Sequence, residues 1–246
     1  MGMLKKLLNP FKEFGFFAGP IYGLDRVFQR LSPHLRLYFY EMLAQPISEE
    51  PLLPSRLSGA LEMREIRLGD PEIARMPARP DIKQSRFRQN AVCLGAFQKN
   101  RLIGYIWLCF HQYEEDEVRC TFVLPQGTPA VFDFDLYIFP EYRMGLGFVG
   151  LWNGANQWLV GRGIQVSFSR LTRFNLASRQ AHLRLGAQCV GRVFVLQLWS
   201  VELMVATLSP YLHISFRKQD RMRLKLRPTF SSPENRVRPL VGVQAG

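Results

Sequence analysis

Apolar and polar residues alternate along Phe132-Asp-Phe-Asp-Leu-Tyr-Ile138, with Phe132, Phe134, Leu136 and Ile138 on one side of the pattern and Asp133, Asp135 and Tyr137 on the other. A period of two is that of a β-strand. Pro140 cannot donate to a ladder and ends it. Past Gly145 and Gly147 the period changes: Phe148, Leu151, Trp152, Ala155 and Leu159 recur at helical spacing, and Gly161 and Gly163 offer places to stop. A strand, a glycine turn and a helix in succession suit an anion. The first-turn N–H groups lack intrahelical partners, and the macrodipole adds about half a positive charge there. Glycine equally permits a tight turn with no ligand.

The same pattern divides the rest of the chain. Residues 1–46 read as a basic, aromatic, helical arm: Leu4, Leu7 and Leu8 lie among Lys5, Lys6 and Lys12, then come Phe11, Phe14, Phe16 and Phe17, and a second amphipathic segment carries Leu24, Val27, Phe28 and Leu31. Such an arm suits either packing on the main domain or contact with an anionic membrane face. Residues 47–60, rich in Pro, Ser and Glu, read as a linker. Leu61–Arg67 alternates as a strand, and Asp70-Pro71 starts a helix that Pro77 and Pro80 hold to a turn or two. Ala91–Gln98 and Leu102–Phe110 form a hairpin through Lys99-Asn100, and Val118–Leu124 is a further strand. Ile164–Leu171 is strand-like, Asn175 caps a short helix closed by Gly186, and Val190–Trp199 and Val201–Thr207 are closing strands. Residues 211–246, basic and proline-bearing, read as a solvated tail.

Composition narrows the classes. With 47% hydrophobic, 13% aromatic and 21% charged residues in 246, the chain is globular, with room for one large domain or one ordinary domain with extensions. A net charge of +12 predicts acidic partners: a phosphate-bearing cofactor, an anionic membrane or nucleic acid. The sequence has no RRM, KH, helix-turn-helix or zinc module, so no specific nucleic acid is expected. Cys93, Cys109, Cys120 and Cys189 are widely spaced and lack metal-ligand spacing; buried free thiols in a reducing cytoplasm, and no metal, are expected. Val193–Leu208 is interrupted by Gln197 and Glu202 and is too short to span a bilayer. One dense acidic run, Glu114-Glu115-Asp116-Glu117, is either a solvated hairpin tip or a rim that attracts a cationic substrate through Glu115 and Glu117.

Two blocks carry a resemblance. Leu136-Tyr-Ile-Phe-Pro-Glu-Tyr-Arg-Met-Gly-Leu-Gly147 resembles the strand and [Gln/Arg]-x-x-Gly-x-[Gly/Ala] pyrophosphate loop of the GNAT superfamily of acyl-CoA-dependent N-acyltransferases. Asn175-Leu-Ala-Ser-Arg-Gln-Ala-His-Leu-Arg-Leu-Gly-Ala187 is similar to that family's Asn-x-x-Ala-x-x-x-Tyr-x-x-x-Gly-Phe helix. The resemblance covers residues 61–210 and implies an α/β (α+β) fold: a mixed, mostly antiparallel twisted sheet flanked by helices, here with an N-terminal helical arm. Tyr142 stands where the family has Gln or Arg, and His182 where it often has tyrosine.

The resemblance implies a cytoplasmic, bacterial-type enzyme, in which an acetyl or other acyl group passes directly from acyl-CoA to an amine in a ternary complex. Backbone groups of Leu136, Tyr137 and Ile138 would pair with the pantetheine arm. Arg143, Met144, Gly145, Leu146, Gly147 and Phe148 would hold the pyrophosphate, and Asn175 and Ser178 would order or touch the cofactor. Asp135, ahead of Asp133, is the candidate base, both expected on one strand face. His182 replaces the tyrosine acid, with an ordinary pKa that leaves imidazole partly protonated at neutral pH. Alternatives are an acyltransferase acting on a lipid-linked or envelope precursor at the membrane face, and a non-catalytic acyl-CoA-binding module.

Overall fold

Lys99 and Asn100 both adopt left-handed backbone, with φ of 48° and 62°, the conformation that lets a two-residue turn match the twist of its strands. The hairpin they close pairs β3 (Val92–Gln98) with β4 (Arg101–Cys109), as the pattern predicts. The structure is a computed structural model and describes residues 19–54, 61–143 and 147–228. These fall into two compact units. One holds residues 19–44, 114–123 and 170–228; the other holds the described parts of 45–113 and 124–169. The short strand β5 (Gln112–Glu114) lies where the chain passes from the second to the first.

The second unit is built on β2 (Glu62–Ile66), β3, β4 and β7 (Ala130–Ile138), which pair antiparallel in that order; β7 then pairs in parallel with the start of β8 (Val166–Thr172). Helix α4 (Gly147–Val160) packs on the β2–β4 side, with Leu151, Trp152, Ala155 and Leu159 all fully buried. Two asparagines interrupt its apolar face. Asn153 Oδ1 accepts from the N–H of Leu52 at 2.7 Å and of Leu53 at 3.3 Å. Asn156 accepts from Ser48 N–H at 3.1 Å and returns a bond to its carbonyl at 2.5 Å. The described part of the expected linker is therefore pinned to α4. Two short helices also stand here, α2 (Glu72–Arg75) and α3 (Pro80–Arg88). Asp70 does not cap α2; its carboxylate accepts from Arg67 N–H at 2.8 Å, and Pro71 holds the cap position.

In the first unit a helix, α1, runs over residues 19–31, and the strand after it was not expected. β1 (Leu35–Pro46) lies wholly within the stretch read as a helical arm, yet residues 35–44 pair antiparallel with β9 (Gln188–Leu198) from Leu35↔Leu198 to Ala44↔Gln188. β9 pairs on with β10 (Val201–Ala206), and β10 with β11 (Leu212–Ser215). The expected tail also differs. Within it β12 (Met222–Lys225) pairs in parallel with β6 (Cys120–Val123), burying Met222 and Leu224. Alternation of those two apolar residues with Arg223 and Lys225 is a strand pattern that net charge obscured. The sheets are mixed and mostly antiparallel, flanked by helices, as the resemblance implies. Residues 1–18 of the arm, 55–60 of the linker and 229–246 of the tail lie outside the described residues.

Candidate functional site

β7 departs from regular strand geometry at one residue. Asp135 has a φ of 46°, in the left-handed region that non-glycine residues seldom enter, Asp and Asn being among the most tolerant. The ladder with β4 shifts at that point: Tyr105 faces Tyr137 and Trp107 faces Phe134, so Asp135 and Leu136 together stand against Ile106. This is a β-bulge, which bends the strand and re-aims its side chains. On the other edge, the parallel register with β8 runs from Ala130↔Val166 to Asp133↔Ser169, and β7 continues to Ile138.

The bulge separates the two aspartates that the alternation placed on one face. Asp133 is buried, and its Oδ1 accepts from Ser167 Oγ at 2.5 Å. Burial pushes its carboxyl up to about 7, with the Ser167 hydroxyl pulling the other way. Asp135 is more open and is ion-paired with Arg86 of α3. That buried guanidinium also lies 5.4 Å from the ring centre of Trp107 and 5.2 Å from that of Phe134. Sequence reasoning missed Arg86 because it took Pro80 as a breaker. Pro80 instead occupies the first helical turn, where its missing N–H costs nothing.

At the glycine turn, α4 begins on Gly147. A Cβ there would meet the Tyr142 carbonyl oxygen at 2.3 Å, so the chain's own turn requires glycine. Arg143 Nε donates to the Ile138 carbonyl at 3.0 Å, and its guanidinium lies 5.3 Å from the Tyr137 ring centre, folding it back on the end of β7. Phe148 is half-buried in the first turn of α4. Met144, Gly145 and Leu146 lie outside the described residues.

In the first unit, Asn175 Oδ1 accepts from Ser178 N–H at 3.1 Å and caps α5 (Leu176–Arg184), and Gly186, with φ of 85°, follows its end. His182 is buried on α5, and burial alone pushes its imidazole down to about 4. The partly protonated histidine expected from its ordinary pKa is thus neutral at pH 7. Arg179 on the same helix, with Arg173 and Arg192, surrounds one buried carboxylate, Glu41 of β1, at Nε–O distances of 2.5, 3.4 and 3.8 Å.

The acidic run is not a solvated tip. Glu115 is buried and meets Arg170 Nε at 3.1 Å, while Arg170 Nη1 holds the half-exposed Glu117 at 2.9 Å. Burial pushes the Glu115 carboxyl up and Arg170 pulls it back. Tyr40 donates to Glu117 at 3.3 Å, and Arg221, from the expected tail, donates to the Glu115 carbonyl at 3.1 Å. A lone arginine in the apolar run of β8 was the available signal for a buried acidic partner. Cys93, Cys109 and Cys120 are buried free thiols as expected, whereas Cys189 is exposed. No helix among the described residues is long and apolar enough to cross a membrane.

No family model and no curated protein matches the chain. Solved structures do match, and they include GNAT acetyltransferases. The aminoglycoside N-acetyltransferase AAC(6')-Iy, bound to a CoA-containing bisubstrate analogue, is 17% identical over 51% of this chain and 89% of its own, with a TM-score of 0.39. A protein from Novosphingobium aromaticivorans, described as an acetyltransferase of the GNAT family, is 14% identical over 67% and 66%, with a TM-score of 0.39. A Staphylococcus epidermidis protein of unknown function is 12% identical over 69% and 63%, with a TM-score of 0.41. These likenesses are partial and low in identity.

Proposed function

We propose that the chain is a GNAT-type N-acyltransferase that passes an acyl group, acetyl by default, from acyl-CoA directly to an amine. The observation that carries this reading is bulged β7: its parallel register with β8 ends at Asp133↔Ser169 while the strand runs on to Ile138, and α4 opens on Gly147. Leu136, Tyr137 and Ile138 offer backbone amides to the two amides of the pantetheine arm. The turn offers first-turn N–H groups to the pyrophosphate, Gly147 and Phe148 among them. Arg143 adds positive charge nearby while anchored to the Ile138 carbonyl. Asn175 and Ser178 order the start of α5.

Bound acyl-CoA supplies a thioester carbonyl open to attack. The acceptor arrives as an ammonium and must lose one proton before its nitrogen forms the new C–N bond. Asp133, held near 7, is a suitable acceptor for that proton, reached through Ser167 or water. Asp135 is the weaker choice because Arg86 engages its carboxylate. As the C–S bond breaks, the sulfur leaves as thiolate and takes up the second proton of the attacking nitrogen. Neutral His182 has no imidazolium proton to give at pH 7. Glu115 and Glu117 are held by Arg170, which weakens them as a rim for a cationic acceptor.

Thermal-shift titration with acetyl-CoA, CoA and ATP is the first test. Stabilisation by the CoA species is expected, and its absence sinks the proposal. Release of free thiol in the presence of a panel of amines then separates an enzyme from a binding module, which would show the shift and release nothing.

A further inference from the structure

An antiparallel sheet needs cover on each apolar face, or meets water there with polar residues. In β9, β10 and β11 one face is largely covered: Val193, Val195, Glu202, Met204, Ala206 and Ser215 are buried, with Gln197 and His213 half-buried beside them. The other face is apolar as well, and its exposure rises towards the edge. On β1, Leu37 is 4% exposed; at the edge, Ile214 is 49% and Leu212 60% exposed. The registers place these side chains in rows across the strands. Leu196 stands beside Leu203 and then Ile214, and Phe194 beside Val205 and then Leu212. Trp199, Tyr211 and Phe216, each 63–66% exposed, stand at the ends of the same strands.

Cations outnumber anions along the border of this face, where Asp220 lies 3.3 Å from His213 Nε2. In residues 199–218 the charged side chains are Glu202, which is buried, and Arg217 and Lys218, which are exposed. Farther along β9, Arg192 shares the face of Phe194 and Leu196 by the strand period, and with Arg173 and Arg179 it outnumbers Glu41 three to one. Exposed aromatic residues beside an apolar face, with cations at both ends, match the boundary of an anionic bilayer. Aromatic rings sit there at head-group level and basic residues gain from the surface potential.

We infer that the β9–β10–β11 face is a peripheral docking surface for an anionic lipid membrane. Trp199, Leu212, Ile214 and Phe216 enter the interface, and Arg217 and Lys218 lie on the head groups. The inference does not rest on the acyl-transfer reading, and it concerns a surface other than the N-terminal arm.

Flotation of the full chain with vesicles tests it, using phosphatidylcholine alone and a mixture with phosphatidylglycerol. Wild type is expected to float with the mixture and to stay behind with phosphatidylcholine. Leu212→Glu/Ile214→Glu is expected to abolish flotation, and Arg217→Gln/Lys218→Gln to weaken it about thirtyfold, at about 1 kcal/mol per basic residue. The second pair keeps the test decisive if the first fails to fold. Flotation of folded variants equal to wild type, or failure of wild type to float, overturns the inference. So does a wild-type dimer that Leu212→Glu/Ile214→Glu converts to monomer without any vesicle binding, since a second copy would then cover the face.

Discussion

Replacing Asp133 by asparagine isolates the cost of burying one carboxyl. Asp133 titrates near 3.8 when exposed and near 7 in the fold, because burial disfavours its charged form. Well below the unfolded value of 3.8, near pH 3 and under, the proton is bound in both folded and unfolded chains, and the side chain costs little. As pH rises the unfolded chain ionises first, so stability falls until the folded carboxyl also ionises near 7 and then levels off. At about 1.36 kcal/mol per pKa unit, the loss is roughly 4 kcal/mol by pH 8. In Asp133→Asn the amide oxygen would accept the Ser167 hydroxyl as the carboxylate does, and the side chain would carry no such charge. The variant should therefore match wild type near pH 3 and melt higher at pH 8 by roughly 10 °C, at about 2–4 °C per kcal/mol for a chain of this size. The assay is thermal melting of both proteins across that range; taking their difference cancels the other titrating groups. A difference that stays flat with pH refutes the reasoning about burial. If acyl transfer uses Asp133, kcat/KM of wild type rises through pH 7 and that rise disappears in the variant.

His182 gives the opposite sign. Its folded pKa of about 4 lies below the ordinary 6.5, so its contribution is present above 6.5 and lost as pH falls through 4, roughly 3 kcal/mol in all; His182→Phe should flatten the acid limb of urea unfolding. Arg170→Ala leaves Glu115 buried with its charge uncompensated and should cost about 3–5 kcal/mol, while adding Glu115→Gln should recover much of it in a double-mutant cycle. Asn153→Ala removes the acceptor of two backbone N–H groups and should cost about 1–3 kcal/mol, with faster proteolysis within residues 48–54.

The strands and helices from Ala91 to Ala206 were legible because each carries its own period and its own punctuation. Lys99-Asn100, Pro140, Gly147, Asn175 and Gly186 each act on their immediate neighbours, which is the range over which sequence pattern speaks. What escaped was set from a distance. β1 reads LRLYFYEMLAQP, with apolar residues on both faces, and becomes a strand through β9. β12 is short and basic, and it needs β6 to accept it. At the candidate site, the two carboxylates were visible by type but not by environment. One left-handed residue, Asp135, re-aimed the strand, and two arginines from other elements, Arg86 and Arg170, fixed which acids are engaged. The protonation of His182 likewise followed from burial that the helix pattern of Leu176–Arg184 did not foretell.

The pairing of β1 with β9 also sets an order of assembly. During synthesis, Leu35 leaves the ribosome roughly 160 residues before Leu198, its partner, has been made. At about 5–20 residues per second the edge that pairs with β9 waits roughly ten to thirty seconds unpaired. Residues 45–113 and 124–169 emerge in that interval and can close their own hydrogen bonds, so the unit that holds the N-terminus is the one that finishes last. Conditions that slow elongation after residue 46 lengthen the exposure of an apolar, aromatic strand. The yield of native protein should therefore depend on translation speed and on chaperones that bind extended apolar segments.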